Sequence, residues 1–269
     1  MSIKLSAIGG GVMGEAILSR LLDRKLYSAS EILVSDPEAR RRDYLKEKYQ
    51  IQVSANNQDA ISAAEVLLLA IKPQVLNTVV ASLGDLSEIS HQPLIISILA
   101  GVPLTKLEAA FANYPVIRAM PNTPATVGAA VSAIAPGKNV EQMHISTALS
   151  IFEAIGEVVE VPESLMDAVT GLAGSGPAYV ALAIEALADG GVAAGLPRAV
   201  ATKLALQTVL GTAKLIESSG LHPAELKDRV TSPGGTTIAG IVALERAGFR
   251  SALIEAVKAA YQRSRELGS

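Results

Sequence analysis

Two glycine-rich segments at opposite ends of the chain hold the residues best suited to chemistry. Late in the sequence, Ser232-Pro233-Gly234-Gly235-Thr236-Thr237-Ile238-Ala239-Gly240 interrupts a helix-forming region. Residues 223–230 and 238–246 on either side read as helices, so the glycine pair and both threonines fall at a helix start. Free backbone N–H groups and the positive end of the helix dipole can hold a small anion there. A plain helix connection with threonine as N-cap is the structural alternative. At the other end, Gly9-Gly10-Gly11-Val12-Met13-Gly14 satisfies G-x-G-x-x-G directly after a β-like run and before a helix. Gly9 allows the tight turn, Gly11 lets the backbone approach a pyrophosphate, and Gly14 lets helix pack on strand. The expected ligand is a dinucleotide.

The residues after the second strand bear on which dinucleotide. Asp36 favours a bond to the adenosine ribose and hence NAD, whereas Ser35 and Arg40-Arg41-Arg42 favour the 2′-phosphate of NADP. These signals oppose one another. Farther on, Ala70-Ile71-Lys72-Pro73, Ala100-Gly101 and Met120-Pro121-Asn122 each follow an apolar run. They are therefore expected at the carboxyl ends of strands, the rim where open α/β sheets bind ligands. Pro73 suits the first turn of a helix. Lys72 either reaches a cofactor or substrate or lies in solvent.

Other chemistries are excluded. The chain has no cysteine, so disulfides, thiolate nucleophiles and cysteine zinc sites are out. His91, His144 and His222 lack metal-ligand spacing and read as exposed or capping residues. Gly174-Ser175-Gly176 lacks the spacing of a hydrolase nucleophile, and no P-loop occurs. A net charge of −3 offers no basic surface for nucleic acid or anionic membrane. Mean hydropathy is high at +0.36, yet no apolar run reaches the roughly 18 residues of a membrane span. No signal-peptide pattern precedes the first strand, which fits a cytoplasmic protein. Aromatics make up only 3% of a sequence rich in alanine and glycine, and the excess apolar surface is expected in a subunit interface.

These groups need elements to position them. Strands are expected at residues 4–8, 31–35, 66–70, 94–98, 116–119, 128–135 and 157–161, alternating with helices. That alternation predicts an α/β fold, with a parallel, doubly wound dinucleotide-binding (Rossmann) domain over residues 1–161. After Pro162 only helices follow, giving an all-α dimerisation and substrate-binding domain over 162–269. Within it, residues 178–187 are apolar on nearly every side except at Glu185. A helix apolar all round must be buried, and about a hundred residues cannot bury it alone. Its cover is therefore expected from a second subunit. Pro197 and Gly220 bracket the next helix, and residues 250–267 form a last amphipathic one.

Taken together, the chain resembles the pyrroline-5-carboxylate reductases along essentially its full length. The resemblance is carried by residues 9–14, 70–73, 118–124 and 171–179, by Asp189-Gly190-Gly191, and above all by residues 232–240. It implies reduction of 1-pyrroline-5-carboxylate to L-proline with NADPH or NADH, the last step of proline synthesis. It also implies a Rossmann domain followed by helical domains that interlock into a homodimer, with dimers often assembling into decamers. By matching position, Ile8, Gly9, Gly10, Gly11, Val12, Met13, Ser35, Asn57, Ala70, Ile71, Lys72, Pro73, Ala100 and Gly101 are implied to line the cofactor. Ser232, Gly234, Gly235, Thr236 and Thr237 are implied to hold the substrate, with Glu163 a further candidate at the domain junction.

The implied reaction suits this inventory. A C=N reduction needs hydride on carbon and a proton on nitrogen. A protonated cyclic imine is already a strong electrophile, so positioning and a hydrogen bond to nitrogen suffice. Thr237 is expected to supply that bond as the catalytic residue, while the turn's N–H groups take the carboxylate. A reductase of another cyclic imine is a close alternative. A hydroxyacid dehydrogenase of similar build is a more distant one. The 3-hydroxyacid dehydrogenases of this layout use a lysine followed by an asparagine in the second domain, and residues 162–269 contain no asparagine. A non-catalytic nucleotide sensor has no use for the second turn.

Overall fold

The structure is a computed structural model that describes residues 2–89 and 91–268. It contains two compact units. One comprises residues up to Ser175 together with those from Ala259 onward, and the other is Gly176–Lys258.

The first unit is built on a sheet of β1 (Leu5–Ile8), β2 (Ile32–Ser35), β3 (Gln52–Ser54), β4 (Val66–Leu69), β5 (Leu94–Ser97), β6 (Val116–Met120), β7 (Ala130–Pro136) and β8 (Gly156–Glu160). The strands lie in the order β3-β2-β1-β4-β5-β6-β7-β8. Its helices are α1 (Val12–Asp23), α2 (Ala39–Tyr49), α3 (Asn57–Ala63), α4 (Leu76–Ala81), α5 (Leu104–Ala110) and α6 (Gln142–Glu153). β1, β2, β4 and β5 are buried along their whole length and, apart from Ser6, Ser35 and Ser97, apolar, because both faces are covered. Leu5, Ala7, Ile32, Val34, Val66 and Leu68 pack with α1, α2 and α6. The intervening Leu33, Leu67, Leu69 and Ile95 pack with α3, α4 and α5.

Two strands depart from the expectation. β3, with the polar sequence Gln-Val-Ser, pairs only at the sheet's edge, and so short a run carries no alternation to read. β7 runs antiparallel to β6, so the sheet is not wholly parallel. Parallel neighbours need a crossover of a dozen or more residues, and residues 121–129 are too few, forming a tight turn over Thr123–Val127 instead. The histidines do cap and tether. His144 closes a capping box with Glu141, His222 caps α10 (Pro223–Arg229) through Nδ1, and His91 Nε2 bonds the Ala64 carbonyl.

The compact units also divide differently from the boundary expected at 161/162. The helical α7 (Met166–Val169) and the wider turn Thr170–Gly174 group with the sheet. Met166 is fully buried in the α3–α5 cluster, and Arg118 of β6 pairs with Glu163 and Asp167. These contacts outweigh the change from strand to helix that marks Pro162 in the sequence.

The second unit holds α8 (Gly176–Ala193), α9 (Arg198–Ser219), α10, α11 (Thr236–Arg246) and the start of α12 (Phe249–Gly268). α8 and α9 approach closely because their contact is made of small residues: a Cβ on Gly191 would stand 3.1 Å from that of Ala201. Gly220 ends α9 in the left-handed conformation, its N–H donating to the Ile216 carbonyl at 2.9 Å. Among the described residues this unit has a core of only Ala188, Ala201 and Ala205, with Ile184 and Val192 against it. Leu182 is 65% exposed and Leu187 and Leu204 are each 53% exposed. The helical run 163–193 is long and apolar enough to cross a membrane by length and composition, with a mean hydropathy of 1.2 in its best window. The expectation of no such segment missed it because the apolar stretches are interrupted by Asp167, Glu185 and Asp189.

Candidate active site

The carboxyl ends of β1, β2, β4 and β5 lie on one rim, since these strands pair in parallel. At its centre, Gly9 adopts φ +98°, and a Cβ there would fall 2.5 Å from the Ala70 carbonyl oxygen. A Cβ on Gly14 would fall 2.5 Å from the Gly9 carbonyl oxygen. Turn, neighbouring strand and helix therefore meet backbone to backbone. α1 starts at Val12 with Gly11 as N-cap, and no side chain caps it. Val12 is 74% exposed, and open space surrounds Gly11 on its side-chain side. An uncapped helix start of this kind can hold an anion.

The β2 side of the rim is organised by α2. Gly10 donates its N–H to Asp36 Oδ2 at 2.9 Å, and Glu38 N–H donates to Asp36 Oδ1 at 2.9 Å. Arg41 donates to the Gly10 carbonyl and pairs with Glu15. Arg42 Nη1 donates to the carbonyls of Asp36 and Pro37 at 2.8 and 2.9 Å. Arg40 is exposed and, among the described residues, its side chain makes neither an ion pair nor a hydrogen bond. Of three adjacent arginines, two hold the turn and one is free.

Glu15 is the hub beneath this turn. Its carboxylate also accepts from Tyr49 Oη at 2.7 Å, Lys48 Nζ at 3.0 Å and Tyr44 Oη at 3.0 Å. Burial works against its ionisation, but the bonds from Tyr49, Arg41, Lys48 and Tyr44 prevail and hold its pKa at about 2. The same contacts raise the Lys48 pKa, those from the tyrosine hydroxyls foremost.

The remaining rim candidates fall into two groups. Ala70, Ile71, Lys72 and Pro73 follow β4, with Lys72 exposed, and Ala100 and Gly101 follow β5. Ala70 and Ile71 meet the glycine turn, whereas Ala100 and Gly101 lie one strand farther along the rim. Ser35, by contrast, is fully buried and donates to Asn57 Oδ1 at 2.7 Å, while Asn57 Nδ2 donates to Ser82 Oγ at 2.8 Å. Met120 ends β6, Pro121 follows it, and Asn122 is turned inward. Its Oδ1 accepts from Val131 N–H and its Nδ2 donates to the Ala173 carbonyl, both at 3.1 Å.

Glu163 lies within the first unit. Its Oε1 accepts from Arg118 Nη1 at 2.7 Å and from the Leu104 N–H at 3.0 Å, while Oε2 is buried without a partner. Arg118 is only 4% exposed, and its Nη2 lies 3.5 Å from Asp167 Oδ1. Asp167 in turn accepts from Ser264 Oγ at 2.8 Å. Asp167, Ser264 and the Glu15 hub were missed by sequence reasoning. The usable signals were a lone arginine in the apolar strand Val-Ile-Arg-Ala-Met and an acid in the first turn after the glycines.

In the second unit, Gly235 N–H donates to the Ser232 carbonyl at 3.1 Å, closing the turn. Gly235 is the extended N-cap of α11, again without a side-chain cap. A Cβ on Gly235 would collide with Ser232 Oγ, which would have to rotate away. Thr236 and Thr237 open the helix, both exposed, and their hydroxyls have no partner among the described residues. The turn thus presents free N–H groups and hydroxyls together.

Comparison with known proteins decides what these two turns belong to. Residues 163–267 match the family model for pyrroline-5-carboxylate reductase dimerisation. Residues 4–101 match that for NADP oxidoreductase, coenzyme F420-dependent. A pyrroline-5-carboxylate reductase of Synechocystis is 63% identical over 268 residues, covering 100% of this chain and 99% of the relative. The chain belongs to the pyrroline-5-carboxylate reductase family. Its fold is shared with solved reductases of that family. The Coxiella burnetii enzyme superposes with TM-score 0.92 at 33% identity, covering 100% of both chains. The Plasmodium falciparum enzyme, solved with NADP bound, superposes with TM-score 0.89 at 31% identity, covering 99% of this chain and 98% of the other.

Proposed function

We propose that this chain reduces 1-pyrroline-5-carboxylate to L-proline, closing proline biosynthesis, with NADPH as its preferred reductant. Membership of the reductase family supports the reaction. The observation that carries the reading onto this chain's residues is a pair of uncapped helix starts, at Gly11 and at Gly235, the second beside two free threonine hydroxyls. A hydrolase or a phosphotransferase needs a nucleophile or a metal cluster, and the described residues hold no group of three or more acidic, histidine or cysteine ligands.

The first turn fits a nicotinamide dinucleotide. Gly9 and Gly14 leave no room for a side chain, and the uncapped helix start at Gly11 lies open to a pyrophosphate. Ala70, Ile71, Lys72, Pro73, Ala100 and Gly101 extend this surface toward the nicotinamide. Ser35 and Asn57 brace the adenosine side, and Arg40 is positioned in sequence and free of partners to meet a 2′-phosphate. Asp36, which taken alone favours NAD, is engaged by two backbone N–H groups. When bound, the cofactor supplies the hydride that reduces the C=N bond.

The second turn binds and orients the substrate. Its N–H groups and the Ser232 hydroxyl take the carboxylate, and the Thr237 hydroxyl bonds the imine nitrogen, holding the proton that remains on it in proline. Glu163 is better read as a structural acid that fixes Arg118 and Leu104. Assembly follows from the second unit, whose exposed Leu182, Leu187 and Leu204 require a cover. That cover is the same face of a second copy, giving a homodimer that assembles further toward the decamer, in the cytoplasm.

The decisive assay follows NADPH and NADH oxidation with 1-pyrroline-5-carboxylate. Turnover favouring NADPH is expected; no turnover with either reductant overturns the assignment. Thr237→Ala should lower kcat about a hundredfold while leaving NADPH binding intact. Normal turnover in that variant removes Thr237 from its role.

A further inference from the structure

The last turn of α12 returns to the first unit and backs the loop that follows β5. Gly101 in that loop has φ +74° and is buried. A Cβ on it would stand 3.2 Å from Leu267 Cβ and 3.4 Å from the Ser264 carbonyl oxygen. A Cβ on Gly268 would collide with the Gly101 carbonyl oxygen. The two glycines thus meet backbone to backbone, with nothing between.

One network grips the same loop from both sides. Ser264, 4% exposed, donates to Asp167, which lies beside Arg118; Arg118 pairs with Glu163, and Glu163 accepts the Leu104 N–H at the loop's far end. The segment from Ala100 to Leu104 is therefore clamped by α12 at one end and by Glu163 at the other. The strand order is β2-β1-β4-β5; a dinucleotide held with its adenosine end at β2 and its pyrophosphate at the β1 turn would have its nicotinamide end toward the loop after β5.

We propose that the Ser264–Gly268 turn of α12 is a positioning element for the nicotinamide half of the cofactor, acting through Gly101 without touching the ligand. Leu267 and Gly268 hold Gly101 in its left-handed conformation, and the Ser264–Asp167 bond fixes the height of the helix end. The proposal rests on the reading of Ala100 and Gly101 as cofactor residues, and the test separates the two.

The experiment compares Gly268→Val, Ser264→Ala and Gly101→Ala in the full-length enzyme, with saturation kinetics in NADPH and in NADH. Gly268→Val is expected to raise KM about tenfold for both reductants, with kcat changed less than about threefold. Ser264→Ala, which deletes a hydroxyl and adds no bulk, is expected to shift KM the same way by a smaller factor. An equal effect on the two reductants is the signature, since a fault on the adenosine side separates them. If Gly101→Ala raises KM while Gly268→Val and Ser264→Ala leave it unchanged, the strap is refuted and the cofactor reading stands. If Gly101→Ala also leaves KM unchanged, both fall. Should Gly268→Val fail to fold, Ser264→Ala decides: an unchanged KM refutes the strap.

Discussion

Arg40→Ala isolates the charge proposed to distinguish the two reductants. Arg41 and Arg42 already serve the Gly10, Asp36 and Pro37 carbonyls and Glu15, whereas Arg40 has no such duty. An arginine–phosphate contact near 4 Å is worth about 1 kcal/mol per charge pair in water and about 4 kcal/mol at the effective dielectric of a protein surface. Because Arg40 is exposed, the lower part of that range applies, about 1–2 kcal/mol, or roughly a 5- to 30-fold rise in KM for NADPH. NADH lacks the 2′-phosphate, so its KM should stay within about twofold. The gap between reductants should also narrow as salt is added. Arg41→Ala serves as contrast: it releases the Gly10 carbonyl and Glu15 and should weaken both reductants alike. Saturation kinetics with each reductant at two ionic strengths measures all of this. An unchanged NADPH-to-NADH ratio in Arg40→Ala, or a shift of equal size in Arg41→Ala, refutes the assignment.

Three further perturbations test separate parts of the structure. The bonds to Glu15 hold its pKa at about 2 in the folded protein against 4.5 for a free glutamate, so its stabilising effect is full above 4.5 and is lost as pH falls toward 2. Wild type should therefore lose more thermal stability between neutral and acid pH than Glu15→Gln, whose melting temperature starts lower; parallel curves would contradict the hub. Leu182→Glu places an unpaired charge on a side chain 65% exposed in the single chain and expected in the dimer contact. Light scattering should show monomer, and an intact dimer would move the interface elsewhere. Gly9→Ala forces a side chain onto the Ala70 carbonyl in a left-handed backbone, and fluorescence titration should show at least about a tenfold loss of NADPH affinity.

Much of the fold was legible because its signals are local. The runs that became β1, β4 and β5 are buried along their whole length and, Ser6 and Ser97 apart, apolar, as suits strands covered on both faces, and Gly9-Gly10-Gly11-Val12-Met13-Gly14 announces its own turn. What stayed hidden depends on distant partners. Nothing in Ser264 or Asp167 foretells their bond, because it joins residues 97 apart in sequence. The inward turn of Asn122 likewise depends on Val131 and Ala173.

The sequence by itself determined the two turns, their residue types and the class of ligand each can hold, since backbone freedom and helix-end polarity are properties of a few adjacent residues. It left Asp36 against the three arginines undecided. Only the tertiary structure shows Asp36 held by Gly10 and Glu38, Arg41 and Arg42 held by carbonyls, and Arg40 left over. It alone joins Gly268 to Gly101 as well. The physical reason is the same in both cases: a charge or a backbone contact acquires its role from what already occupies its neighbours, and packing decides that.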